Sequence, residues 1–339
     1  MKRALIPLCF LLAATANAAV AINGAGATFP FPLYSKWTAE FGKASDVHIN
    51  YQSIGSGGGI RQITQRTVDF GASDAPMTDD EMKQAPAKLL HVPTTLGAVV
   101  IAYNVNGVAS GLKLSPEAIA GLFLGTIKKW NDPQLVKLNP GVTLPDADVA
   151  VAHRSDGSGT TAVFTDYLAK VSPEWKSKVG AGKSVQWPVG IGAKGNEGVS
   201  GALKTQPNTV GFVELAYAVQ AKMTYALVKN HAGSFVAASP ESVSAAAAGV
   251  AMPEDFRVSI VDAPGATAYP IASFTYILVY EEAADATKGA AVAKFLWWAI
   301  HDGQKFCVPL NYAALPAAVV AKLEPKLRAL KAGGQPISL

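Results

Sequence analysis

Three times along this chain a strand-like alternation of apolar residues gives way, across a glycine-bearing turn, to the spacing of a helix face. A short strand beginning near Val20 and Ile22 runs into Gly24-Ala-Gly26, after which Leu33, Tyr34, Trp37 and Phe41 fall on one side of a helix. Pro30 and Pro32 suit that helix's first turn, where a missing N–H is no loss. Val47, Ile49 and Tyr51 alternate before Ser53-Ile-Gly-Ser-Gly-Gly-Gly59, and Ile60 and Ile63 resume at helical spacing. Val149 and Val151 lead through His153-Arg-Ser-Asp-Gly-Ser-Gly-Thr-Thr161 to Val163, Phe164, Tyr167, Leu168 and Val171. Each unit therefore predicts a strand, a turn and a helix start.

Further elements follow from the same pattern. Val68 to Ala72 predicts a short strand that delivers Ser73 and Asp74. Asp74 there suits either a helix cap or a carboxylate facing a site. The long apolar run Leu89–Val105, broken by Thr94 and Thr95, has a counterpart at Tyr269–Tyr280. Two such strands are natural crossings between two lobes, with the first lobe made of both chain ends. Ser-Pro-Glu at Ser115, Ser172 and Ser239 announces three helices, each with a cap, a proline at the first position and an early acid. Gly190-Ile-Gly-Ala-Lys-Gly195 matches G-x-G-x-x-G, but no clear strand precedes it and no well-formed apolar helix follows. It reads as a loop, which argues against dinucleotide binding. Ala291–Ile300 predicts a helix packing on the first lobe, and Leu310–Pro316 the start of a last helix that ends near Lys326, Arg328 and Lys331. The texture is α/β throughout.

Composition narrows what this framework can do. The 339 residues are 50% hydrophobic and 16% charged, ample for a packed core and enough for two domains. Two units of the +4 formal charge come from Lys2 and Arg3, and no block of like charge occurs, which argues against nucleic acid or a membrane surface as main partner. Residues 1–18 read as an export signal: Lys2 and Arg3, an apolar stretch, then Ala16-Asn-Ala18 for cleavage between Ala18 and Ala19. Cys9 is preceded by Leu8 rather than a small residue, so a lipoprotein signal is disfavoured. The mature chain keeps Cys307 alone, a small apolar side chain with no partner for an internal disulfide.

A helix start presents unpaired amides and partial positive charge, and so seats an anion. Thr28, the Phe29 amide, Ser56, Ser158 and Thr160 add donors at three such starts, and Arg154 adds a planar fork for two oxygens. The plainer alternative is that Ser158 or Thr160 only caps its helix, that Arg154 lies in solvent and that Gly55–Gly59 is a hinge. There is no Walker sequence and no G-x-S-x-G, since Asp156 stands two before Ser158. The five histidines are scattered, which disfavours a metal site. An exported phosphatase using Ser158 or His153, and an adhesin that merely shares the fold, are the rival classes.

The residues Gly24-Ala-Gly-Ala-Thr-Phe-Pro30, Tyr51-Gln-x-Ile-Gly-Ser56, Val68-Asp-Phe-Gly-Ala-Ser-Asp-Ala-Pro76, Ile127-Lys-Lys-Trp130 and Arg154-x-Asp-Gly-Ser-Gly-Thr160 resemble the periplasmic phosphate-binding proteins of phosphate-specific ABC transporters, the PstS family. The resemblance runs from about Ile22 to Tyr312-Ala-Ala-Leu-Pro316. It implies a two-lobed, type II periplasmic-binding-protein fold, with residues 19–95 and 272–339 in one lobe and 96–271 in the other. It implies no enzyme activity and no cofactor, with inorganic phosphate and the permease subunits as partners of a periplasmic monomer. Carried over by position, the first lobe supplies the Thr28 hydroxyl, the Phe29 amide, the Ser56 hydroxyl and Asp74. The second supplies Arg154, the Ser158 hydroxyl and amide, the Gly159 amide and Thr160, with Asp156 holding Arg154. Asp74 would then accept the phosphate proton and exclude sulfate. His153 stands where the family often has a basic residue.

Overall fold

The computed structural model describes residues 19–339; the expected export signal, Cys9 included, lies outside the described residues. Strand β1 (Val20–Gly26) pairs in parallel with β2 (Val47–Ser53) and β3 (Phe70–Ser73). Between them run α1 (Phe31–Ala44) and α2 (Ser56–Thr64). The four positions that the helical spacing named on α1 are its buried ones, and Pro30 and Pro32 stand at its start. Helix α3 (Asp79–Gln84) opens on a capping box of Thr78 and Glu81.

The long apolar run becomes a single strand, β4 (Leu89–Asn104), buried at every residue but the last. Through Leu89–Ala98 it pairs antiparallel with β12 (Ala272–Tyr280), and through Val99–Asn104 with β8 (Thr209–Glu214). One strand thus belongs to two sheet halves. The other half is built after short β5 (Lys113–Leu114) from α4 (Pro116–Leu124), α5 (Pro133–Leu138), β6 (Ala150–Arg154), α6 (Gly159–Val171), α7 (Pro173–Lys178), β7 (Ile191–Ala193) and α8 (Gly195–Thr205). Helix α9 (Leu215–Gln220), the short strands β9 (Thr224–Tyr225), β10 (Leu227–Lys229) and β11 (Phe235–Val236), and α10 (Pro240–Ala247) complete it. The sheet order is β2-β1-β3-β12-β4-β8-β6-β7, with β9 on β4. After β12 come β13 (Glu282–Ala283), α11 (Ala286–Ile300), α12 (Ala317–Arg328), β14 (Lys331–Ala332) and β15 (Gln335–Pro336).

Each half has its own aromatic core. Trp37 and Phe41 from α1 meet Trp298 and Phe295 from α11, which reaches Phe70 of β3. In the other half Phe212 stacks with Phe164 and Trp187, and Phe123 meets Phe164 edge-on. Ser115, Ser172 and Ser239 each accept the amide three residues on, as their sequence predicts.

Two expectations are corrected. The Gly190–Gly195 segment is not a loop but β7, parallel to β6, followed by α8. Its strand has three residues at the sheet edge, and the only large apolar side chains α8 buries are Val199 and Leu203, so periodicity had little to register. Past Leu310, which ends a short 3₁₀ turn, the stretch Asn311–Pro316 is not helical either. Asn311 is left-handed (φ 67°), Leu96 and Ala313 exchange backbone hydrogen bonds, and α12 starts only after extended Pro316. Lys326 and Arg328 do lie in the last turn of α12, whereas Lys331 belongs to β14. Among the described residues no helix is long and apolar enough to cross a membrane.

Candidate functional site

The carboxyl ends of β1, β3, β6, β7 and β8 come together, which is where open α/β sheets place their ligand crevice. Thr28 and Phe29 lie between β1 and α1. The Thr28 carbonyl accepts from the Tyr217 hydroxyl (2.6 Å) and the Phe29 carbonyl from the Tyr312 hydroxyl (2.7 Å). Two buried tyrosines from opposite halves therefore fix this short turn. Among the described residues the Phe29 amide has no hydrogen-bond acceptor.

Ser56 is the first residue of α2, after Gly55 in a positive-φ conformation (86°). Its Oγ accepts the Asp74 amide at 3.2 Å and lies 3.4 Å from Asp74 Oδ2. The other carboxylate oxygen accepts from Thr275 Oγ1 at 2.9 Å. Asp74 does not cap a helix. It is 1% exposed, and burial raises its pKa from 3.8 to about 7 against the opposing pull of Thr275, Arg154 and Ser56.

Arg154 ends β6 and is buried. Asp156 takes two of its nitrogens, Nε at 2.8 Å and Nη2 at 2.6 Å, leaving Nη1 directed to Thr160 Oγ1 at 3.4 Å. The Gly195 amide completes this clamp by donating to Asp156 Oδ1 (3.0 Å). Burial disfavours the Asp156 charge, but the hydrogen bonds and charge of Arg154 outweigh it and hold the carboxyl below its usual range. Arg154 therefore does not lie in solvent.

Ser158 is the N-cap of α6, its Oγ accepting the Thr161 amide (3.0 Å). Capping and the site are not alternatives here, because the hydroxyl keeps its proton for a further acceptor. The Ser158 amide is different: it donates to the Lys183 carbonyl (2.8 Å), so of the two Ser158 groups named from sequence only the hydroxyl is uncommitted. Gly159 packs so closely on the other half that a Cβ there would collide with Ser56 Oγ and the Asp74 carboxylate. Beside it the Gly57 amide donates to the Gly157 carbonyl (2.9 Å). Thr28, Phe29, Ser56 and Asp74 thus face Arg154, Ser158, Gly159 and Thr160 across one cleft.

Several residues in this network carried no sequence signal for it. Asn196 bridges the halves, its Nδ2 lying 2.7 Å from Thr28 Oγ1 and 3.1 Å from Thr160 Oγ1. Thr275, Tyr217 and Tyr312 sit inside apolar runs, where only their hydroxyls set them apart. His153 turns its ring onto Trp187, stacked at 4.8 Å and 14°. Among the described residues no histidine or carboxylate hydrogen-bonds the Ser158 hydroxyl, which accepts the Thr161 amide.

A sequence model of the PBP superfamily domain matches residues 13–302. The phosphate-binding protein PstS of Xylella fastidiosa is 46% identical over 308 residues, covering 90% of this chain and 84% of that protein. The chain belongs to the PstS family. Its relatives include the Pasteurella multocida phosphate-binding protein PstS, 44% identical over 95% of this chain and 94% of the relative. Among solved structures, a high affinity periplasmic phosphate-binding protein bound with phosphate superposes with a TM-score of 0.73, at 23% identity and covering 90% and 93% of the two chains. A phosphate ABC transporter substrate-binding protein from Clostridium perfringens gives 0.64 at 16% identity, covering 87% and 100%. At these identities the structures establish the two-lobed periplasmic-binding-protein fold. The family is one of substrate-binding proteins, not enzymes.

Proposed function

We propose that this protein captures inorganic phosphate between its lobes in the periplasm and delivers it to the permease of a phosphate ABC transporter. The family supports this reading, and one observation carries it: the buried Asp74 carboxylate stands directly among the hydroxyls and amides that meet between the halves. The Thr28, Ser56, Ser158 and Thr160 hydroxyls, the Phe29 and Gly159 amides and Arg154 all offer hydrogen to an oxyanion. Asp74 offers none when ionised, and an unprotonated anion against it costs several kcal/mol. Hydrogen phosphate and dihydrogen phosphate bring an O–H for Asp74 to accept; sulfate at neutral pH brings none. Exclusion by an unmatched buried group then gives specificity.

The rest of the expected organisation belongs to the same reading. Residues 1–18 are the export signal, cleaved between Ala18 and Ala19. Residues 19–95 with 272–339, and residues 96–271, are the lobes that move, and one chain supplies the whole site, so a monomer suffices. Isothermal calorimetry at pH 8 should give phosphate an affinity at least about 100-fold above that of sulfate, by the loss usual for an unpaired buried polar group. Because the Asp74 carboxyl lies at about 7, sulfate affinity should recover as pH falls below 7 and the carboxyl gains a proton to donate. Sulfate binding as tightly as phosphate at pH 8 would overturn the proposal.

A further inference from the structure

The turn after β7 has no part in the ligand set above, yet it meets both sides of the cleft. Gly195 adopts φ 72° there, and its amide and that of Asn196 donate to successive targets, Asp156 Oδ1 (3.0 Å) and Thr28 Oγ1 (3.2 Å). The Asn196 side chain is fully buried. Its Oδ1 accepts the Glu214 amide (2.9 Å), which fixes the orientation of the carboxamide and leaves both Nδ2 hydrogens for Thr28 and Thr160.

We propose that Asn196 is a positioning residue that makes the Thr28 and Thr160 hydroxyls obligatory donors toward the ligand; this rests on the phosphate reading of the site. A threonine hydroxyl has two lone pairs and one proton. Both lone pairs of Thr28 Oγ1 are taken, by the Asn196 amide (3.2 Å) and Nδ2 (2.7 Å). Those of Thr160 Oγ1 are taken by Asn196 Nδ2 (3.1 Å) and Arg154 Nη1 (3.4 Å). Each hydroxyl keeps only its proton to offer, so neither can accept from a protonated ligand oxygen. Asp74 is then left as the acceptor for the ligand proton. Thr28 and Asn196 belong to different lobes, so the same bonds tie donor orientation to closure.

Asn196→Asp separates this role from packing. The carboxylate keeps the shape and the acceptor for the Glu214 amide but replaces two donors by an acceptor, turning the Thr28 and Thr160 protons away from the ligand. Asn196→Ala removes the orientation without reversing it. Calorimetry with inorganic phosphate at pH 8 should show the Asp variant weakened at least about 100-fold and the Ala variant about 10-fold, the scale of buried unmatched against merely absent partners. A packing role would rank Asp above Ala. An Asp variant within about threefold of wild type, or tighter than Ala, overturns the inference. Should circular dichroism show the Asp variant unfolded, the Ala variant decides: a loss near tenfold supports the role, and affinity within threefold of wild type overturns it. Wild-type protein that fails to bind phosphate would instead sink the function proposed above.

Discussion

Asp74 carries opposite consequences for binding and for stability. In the folded protein its carboxyl sits at about 7, raised from 3.8 chiefly by burial. Between those values the folded state holds a proton that the unfolded chain has released. Stability contributed there is present at low pH and is lost as pH rises towards 7, a difference of about 4 kcal/mol at about 1.4 kcal/mol per unit. Asp74→Asn mimics the protonated group permanently. Without phosphate, its melting temperature should match wild type near pH 4, exceed it increasingly up to pH 7 and keep that margin at pH 8. Calorimetry on the same variant should show weakened phosphate binding. Thermal melts whose difference does not change with pH would show that the buried carboxylate is not strained.

At the scale of elements, the site is an arrangement of helix beginnings. Alpha-helices α1, α2, α6 and α8 each start beside a strand's carboxyl end, and their first residues, not their apolar faces, meet across the cleft. Gly159 at the start of α6 makes one of the tightest of these meetings. Alanine is a better helix former than glycine, so Gly159→Ala should leave the melting temperature of the phosphate-free protein near wild type or slightly above it. Closure is another matter, because the added methyl overlaps Ser56 and Asp74. Overpacking of that kind costs about 1–3 kcal/mol, and calorimetric phosphate affinity should fall by the corresponding 5- to 150-fold. Wild-type affinity in this variant would mean that the lobes bind phosphate without approaching this closely.

For the molecule as a whole, a set of polar contacts joins the halves. Gly57 to Gly157, Asn196 to Thr28, Tyr217 to Thr28, Ser53 to Glu197 and Lys183 to Glu81 all cross the cleft. The aromatic clusters stay on their own sides, and the polar bonds that opening breaks are ones water can replace. A ligand that bonds both halves at once shifts such an equilibrium by its differential affinity for the closed form. Small-angle scattering should therefore record a smaller radius of gyration when phosphate is added to phosphate-free protein; an unchanged value would contradict a closing mechanism.

Much of this protein is written in local pattern. The strand–turn–helix units, the serine caps, the long strand shared by two sheet halves and the hydroxyls of Thr28, Ser56, Ser158 and Thr160 that the fold gathers are legible because period, glycine and hydroxyl occur within about ten residues of one another. What the fold alone decided is which polar groups inside apolar runs matter and which donors are already engaged. Thr275, Tyr217 and Tyr312 look like core residues until β12, α9 and the stretch before α12 bring them to Asp74, Thr28 and Phe29. The Ser158 amide looks uncommitted until Lys183, distant in sequence, accepts it. Asn196 follows a motif whose helix is too thinly apolar to register, and acquires its partners only when β7 docks on β6. Burial, which sets the Asp74 proton affinity, is a property of the folded protein and not of any segment.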